Sequence, residues 1–189
     1  AISVFRISGP NAFIVLRNLT KGKAPKSRYA TKKKIFWEGE VVDHCIVITF
    51  NRDKSYSGEK TVEIHCHGSI AVIEKMASIL MKCGSYLNLR PAEEGEFTRQ
   101  AYYNGKMDLI QVEGLSDLLK AETDAQRRIS FDSVDGAVSK KINIWREKYP
   151  QHDFKFVVFN NDLKQAWFID AEVVVIPSSK ISIFLVSSL

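Results

Sequence analysis

"VEIHCHGSIAVIEKMASILMKCG", residues 62–84, changes its side-chain period part-way along. Up to Gly68 it reads as a strand, with alternate residues on alternate faces; beyond Gly68, apolar residues recur at helical spacing. On the strand, Glu63, His65 and His67 share one side and Cys66 takes the other. On the helix, Ser69 is placed to cap the start. Ile73, Met76, Ala77 and Leu80 form a stripe to bury, and Gly84 suits the left-handed position past the end. A carboxylate and two imidazoles on one strand face admit three readings: a metal-binding face, part of a pocket for another ligand, or a polar strand with no ligand.

Outward from this stretch the elements follow in order. "ISVFRIS" (2–8) predicts a strand, and "SGPNAFIVLRNLT" (8–20) a helix with Pro10 near its first turn and Phe13, Leu16 and Leu19 inward. "HCIVITFN" (44–51) predicts a second strand and "RDKSYSGEK" (52–60) a polar loop. "YLNLRPAEEGEFTRQAYYNGK" (86–106) reads as a short strand and a polar loop. Asp108 and Gln111 then offer a capping box to a long helical stretch, with Val112, Leu115, Leu118 and Leu119 toward a core and helical pattern as far as Trp145. This order predicts an α+β fold, a mixed or antiparallel sheet with packed helices. From Pro150 the character changes. "FKFVVFN" (154–160), "AEVVVIP" (171–177) and "ISIFLV" (181–186) are apolar β-type runs of a short β-rich tail.

Composition narrows the function classes. The chain has 189 residues and a formal charge of +5, with three widely spaced cysteines, Cys45, Cys66 and Cys83. That usage fits free thiols in a reducing compartment rather than a disulfide framework. No apolar run approaches the roughly 20 residues of a membrane span, and the start has no export-signal pattern. No Asp or Glu precedes Glu38, while Arg17, Lys21, Lys23, Lys26, Arg28, Lys32, Lys33 and Lys34 crowd one stretch. Without aromatics interleaved for base stacking, a solvated loop is the preferred reading over a nucleic-acid face.

Several chemistries are poorly served. Zinc sites gather ligands from separate elements, and beyond the strand face there is neither a further histidine cluster nor a C-x-x-C, so a metal at Glu63, His65 and His67 is disfavoured. Cys66 and its flanking histidines point to opposite faces, which excludes a dyad. No G-x-x-x-x-G-K-[ST] loop occurs. What remains is a set of polar groups at turns: Arg6, Tyr56 to Glu59, Glu63, Glu96 and Lys106. Together they describe a pocket.

Three collinear motifs carry a resemblance: "AISVFRISGP", "SYSGEKTVEIHCHGS" and "EEGEFTRQAYYNGKMDLIQVEGLSDLLKAET". Over roughly residues 1–146 the chain resembles the N-terminal part of the tRNA uridine-5-carboxymethylaminomethyl modification GTPases, the MnmE or TrmE family. The resemblance implies a folate-binding domain over 1–118, the start of a helical domain over 119–149, and a tail over 150–189 that looks like a GTPase-domain remnant. "FNND" there is similar to a guanine-reading strand. Arg6, Glu63 and Lys106 match the positions that bind 5-formyltetrahydrofolate, with methylenetetrahydrofolate the other candidate one-carbon cofactor. His65 and His67 become neighbours of that site, and no catalytic residue or metal ligand is implied. The family also implies a homodimer through this domain, an FAD-dependent MnmG-type partner, tRNA as substrate, and a cytoplasmic or organelle-matrix location. GTP, Mg²⁺ and K⁺ serve the intact family and are not expected in this chain. A non-catalytic RNA- or protein-binding module using residues 17–34 is the alternative.

Overall fold

The structure is a computed structural model that describes residues 1–148, 158–160 and 165–167. It falls into two compact units, Ala1–Lys106 and Met107–Leu189. The first holds strand β1 (Ile2–Ser8), helix α1 (Ala12–Thr20), β2 (Thr31–Trp37), β3 (Glu40–Phe50), β4 (Thr61–His67), α2 (Ile70–Leu87) and α3 (Glu96–Tyr103). The second holds α4 (Leu109–Lys120), α5 (Asp124–Val134), α6 (Ala137–Lys148) and a pair of short strands, β5 (Val158–Asn160) and β6 (Gln165–Trp167).

The four strands of the first unit form one sheet in the order β1-β4-β3-β2, and every pairing is antiparallel. The fold is therefore α+β, with the antiparallel form of the sheet. Its inner face carries Ile7, Ile35, Cys45, Val47, Val62, Ile64 and Cys66, all buried. Leu16 and Leu19 of α1 and Met76, Ile79 and Cys83 of α2 close over them in a single core. Alternation along each strand leaves Val4, Arg6 and Ile46 exposed on the other side.

Local chemistry departs from the sequence reading at several points. The basic stretch is only partly loop: Thr31–Trp37 is an edge strand. Ile35 is buried while Lys32 and Lys34 stay exposed, and lysines on an edge discourage pairing with another chain. Its hairpin with β3 turns on Glu38 (φ 49°) and Gly39 (φ 92°), the two positive φ values that a type I′ turn requires. Pro10 lies just outside α1, whose N-cap is Asn11.

Ser69 does cap α2, its hydroxyl accepting from the Val72 amide. The helix nevertheless runs past Gly84 to Leu87, and Asn88 takes the left-handed position. Gly84 serves close approach instead, because a Cβ there would meet the Leu89 carbonyl oxygen. The buried face is also rotated: Met76, Ile79 and Cys83 are covered, whereas Ile73 and Ala77 are exposed. Residues 86–106 contain α3 and no strand.

In the second unit the Asp108–Gln111 capping box is present, and Thr123–Gln126 makes another at the head of α5. Gly114 lets α4 and α5 approach, since a Cβ there would stand 2.6 Å from the Ser133 Cβ. Leu119 is 81% exposed, so it does not join the core side of α4. The runs "AEVVVIP" and "ISIFLV" lie outside the described residues, as do Asn161 and Asp162 of "FNND". No helix among the described residues is long and apolar enough to cross a membrane.

Candidate cofactor-binding site

The register of β1 against β4 places Arg6 directly opposite Glu63. Both the Nε and the Nη2 of Arg6 donate to Glu63 Oε1, at 3.0 and 2.8 Å. The Glu63 side chain is 16% exposed and the Arg6 side chain 37%, so the carboxylate is the sheltered member of a pair that opens to solvent on the arginine side. The second carboxylate oxygen, Oε2, is 3.5 Å from His65 Nε2, which is buried without a hydrogen-bond partner. Arg6 is held from above as well. Its guanidinium carbon lies 5.5 Å from the centre of the Tyr56 ring and 5.4 Å from that of Phe97, within cation–π range.

Tyr56 belongs to the polar loop after β3, and Phe97 to the first turn of α3. Tyr56 Oη shares a 2.8 Å hydrogen bond with Thr98 Oγ1, joining loop to helix. The rest of the loop is fixed by hydroxyls. Ser57 Oγ lies 2.6 Å from Ser8 Oγ and 3.2 Å from Thr61 Oγ1, and Ser8 also donates to Glu59.

Lys106 stands in a separate place. Its ammonium donates to the Asp53 carbonyl at 2.8 Å and borders a cavity of about 510 Å³ with Arg52, Lys60 and Asn104. The loop reaches this place too, for Asn104 Nδ2 donates to the Ser57 carbonyl at 2.7 Å. Gly58 permits that contact: its φ is +74°, and a Cβ would lie 2.5 Å from the Asn104 Cβ. Arg6 and Glu63 are thus brought into contact. Lys106 is tied to the same loop, but the structure gives no contact between it and the pair.

The other sequence candidates have local work. Glu96 accepts from Arg90 Nη1 at 2.9 Å and from the Glu93 amide at 2.8 Å, bracing the entry to α3. The Arg90 hydrogen bonds, with help from that amide, push the Glu96 carboxyl down to about 2. A depressed carboxyl contributes stability that is present above its unfolded value and lost as pH falls through its folded value. The brace should therefore hold above pH ~4.5 and fade toward pH ~2. In a ¹³C NMR titration the Glu96 carboxyl should have its midpoint near 2. Arg90→Ala should move that midpoint up into the ordinary glutamate range; a midpoint unchanged by the substitution would dissolve the brace.

His67 leaves the Glu63 face. Its Nδ1 lies 2.7 Å from Asp43 Oδ1, and its amide donates to Asp43 Oδ2 at 2.9 Å. Burial alone would raise the Asp43 carboxyl. Hydrogen bonds from the His67 amide, the His67 ring and the His44 amide outweigh it and hold the group below its ordinary value. Phe97, Asn104 and Asp43 were not singled out from the sequence. Each acts through a partner at least 24 residues away, beyond any local pattern.

Comparison with known proteins now bears on this geometry. The family model described as the GTP-binding protein TrmE N-terminus matches residues 1–106. The tRNA modification GTPase MnmE of Agrobacterium fabrum is 46% identical over 148 residues, 78% of this chain and 33% of that protein. Its counterpart from Caulobacter vibrioides is 42% identical over 147 residues, 78% of this chain and 32% of that protein. The chain spans about a third of the length of these relatives. Fold and matched span define an N-terminal module of GTP-binding proteins. The chain belongs to the TrmE (MnmE) family and carries its N-terminal domain.

Proposed function

We propose that the first unit binds a tetrahydrofolate derivative, 5-formyl- or methylenetetrahydrofolate, as the one-carbon donor in wobble-uridine modification of tRNA. The observation that carries this reading is the Arg6–Glu63 pair beneath Tyr56 and Phe97. A carboxylate has about four acceptor positions, and Arg6 uses those of Oε1. Oε2 remains to accept from the amino and ring N–H groups of a pterin, against aromatic rings that suit its flat body. Lys106 has three ammonium protons, of which the Asp53 carbonyl takes one, leaving donors for a carbonyl or the tail carboxylates. Calorimetry with 5-formyltetrahydrofolate tests the assignment. Saturable binding to the purified chain supports it; no heat and no competition with a labelled folate would reject it.

The wider reading follows the family. The domain forms a homodimer, works with an FAD-dependent MnmG-type partner on tRNA, and does so in the cytoplasm or an organelle matrix. On the same reading the folate-binding domain covers 1–118, the start of a helical domain 119–149, and a GTPase-domain remnant 150–189. Hydrolysis of GTP is not assigned to these 189 residues. Phosphoryl transfer needs a glycine-rich loop and lysine around the β- and γ-phosphates, with Mg²⁺ held through a Ser/Thr hydroxyl, and no stretch of the sequence supplies them. Purified protein should release no phosphate from GTP above a protein-free control, with Mg²⁺ and K⁺ present. Turnover abolished by substitutions within 154–189 would reverse this assignment.

A further inference from the structure

Three groups that bind metals converge on the face of β3 and β4 opposite Glu63, where the folate reading gives them no task. Cys45 Sγ and Cys66 Sγ are 3.3 Å apart, and Cys45 Sγ is 3.6 Å from Asp43 Oδ2. All three potential ligand atoms lie within 4.8 Å of one another. The cysteines are 1% and 2% exposed, and the Asp43 side chain 8%. Three groups that ionise to anions gain nothing from meeting in a dry place unless protons or a cation lie between them.

The spacing suits one ion in particular. Tetrahedral bonds of about 2.3 Å to sulfur and 2.0 Å to oxygen put two sulfurs roughly 3.75 Å apart and a sulfur and oxygen roughly 3.5 Å apart. The sulfurs would separate by only about 0.4 Å, whereas a disulfide would have to draw them in to about 2.05 Å. The carboxylate is already aimed. Asp43 Oδ1 takes the His67 ring and the His44 amide, both at 2.7 Å, while Oδ2 accepts from the His67 amide at 2.9 Å and turns its remaining lone pair toward the Cys45 sulfur. A histidine fixing the far oxygen of a ligating carboxylate is the kind of outer support that metal sites use. His67 is itself 73% exposed, so the outer end of this arrangement faces solvent.

We propose that Asp43, Cys45 and Cys66 form a site for one thiophilic divalent cation of the zinc class, with His67 as the positioning residue for Asp43 and water completing the coordination. Binding releases the proton of each thiol to solvent and exchanges water ligands of the hydrated ion for two metal–sulfur bonds and one bond to Asp43 Oδ2, with one water retained. No change of oxidation state is involved.

Cobalt(II) is the probe. The reduced, chelator-treated 189-residue chain should bind one equivalent, with a thiolate-to-cobalt charge-transfer band and the intense visible bands of a tetrahedral ion, and zinc should bleach both. Cys45→Ser and Cys66→Ser should each remove most of the charge-transfer intensity, while Cys83→Ser keeps it. His67→Ala removes the exposed ring and its bond to Asp43 but keeps the His67 and His44 amides that also hold that carboxylate, and a thermal melt checks that the variant stays folded. It should weaken zinc binding by about 10- to 100-fold against a competing chelator. Cobalt bound without charge transfer, a band undiminished in the Cys45→Ser/Cys66→Ser double variant, or zinc affinity unmoved by His67→Ala would each overturn the proposal.

Discussion

Glu63→Ala is expected to weaken binding of 5-formyltetrahydrofolate by roughly tenfold to a hundredfold, corresponding to about 1.5–3 kcal/mol for a charge-assisted hydrogen bond. The loss has two sources. Pterin N–H donors would enter a sheltered site and find no acceptor. Arg6, still clasped by Tyr56 and Phe97, would also lose the carboxylate that accepts two of its N–H groups. Glu63→Gln separates these effects, because the amide keeps the shape and one acceptor oxygen but not the charge. It should fall between wild type and alanine. Calorimetry at fixed ionic strength is the measurement, and equal affinities for all three forms would remove Glu63 from the site.

Ile64→Ala should cost the first unit about 2–5 kcal/mol, the usual penalty for a large aliphatic side chain truncated in a packed core. Ile64 is fully buried on the central strand β4, paired with Val47 of β3. Domains of this size hold about 5–15 kcal/mol in all, so the change would lower Tm on the order of 10–20 °C. Ile46 is the matched control. It lies one residue from Val47, faces outward and is 49% exposed, so Ile46→Ala should stay within about 0.5 kcal/mol. Denaturant melts of the two variants decide the matter; equal losses would mean that the sheet buries a different face.

What could be read without coordinates was whatever neighbouring residues decide among themselves. The strand-to-helix change at Gly68, the Ser69 cap and the Asp108–Gln111 box all survive because each rests on residues three or four apart. β2 was hidden because its alternation runs through lysines: Lys32 and Lys34 point outward beside Ile35, and composition alone reads that as solvated loop. The end of α2 was misplaced because glycine signals a helix stop and tight packing with the same letter. Only the position of the Leu89 carbonyl distinguishes them at Gly84. The site divides in the same way. Resemblance picked out Arg6, Glu63 and Lys106 as residues, but the contact between Arg6 and Glu63 follows from pairing strands 57 positions apart. The Phe97 ring over Arg6 depends on α3, where the sequence suggested strand and loop.

The loop between β3 and β4 touches Arg6 through the Tyr56 ring and, at Ser57, accepts from the Asn104 amide two residues before Lys106. A ligand that engages Glu63 at one end and Lys106 at the other would therefore bind as two tethered fragments, each raising the effective concentration of the other. The halves of such a ligand, a free pterin and a free p-aminobenzoylglutamate, would lose that advantage and bind far more weakly than the joined molecule. Supplied together they would still fall short of it, because the second fragment would have to arrive from bulk solution. For such a ligand the backbone of Ser57 and Gly58 would be the strut that sets the span to be matched, and the loop would act as a molecular ruler as well as a wall.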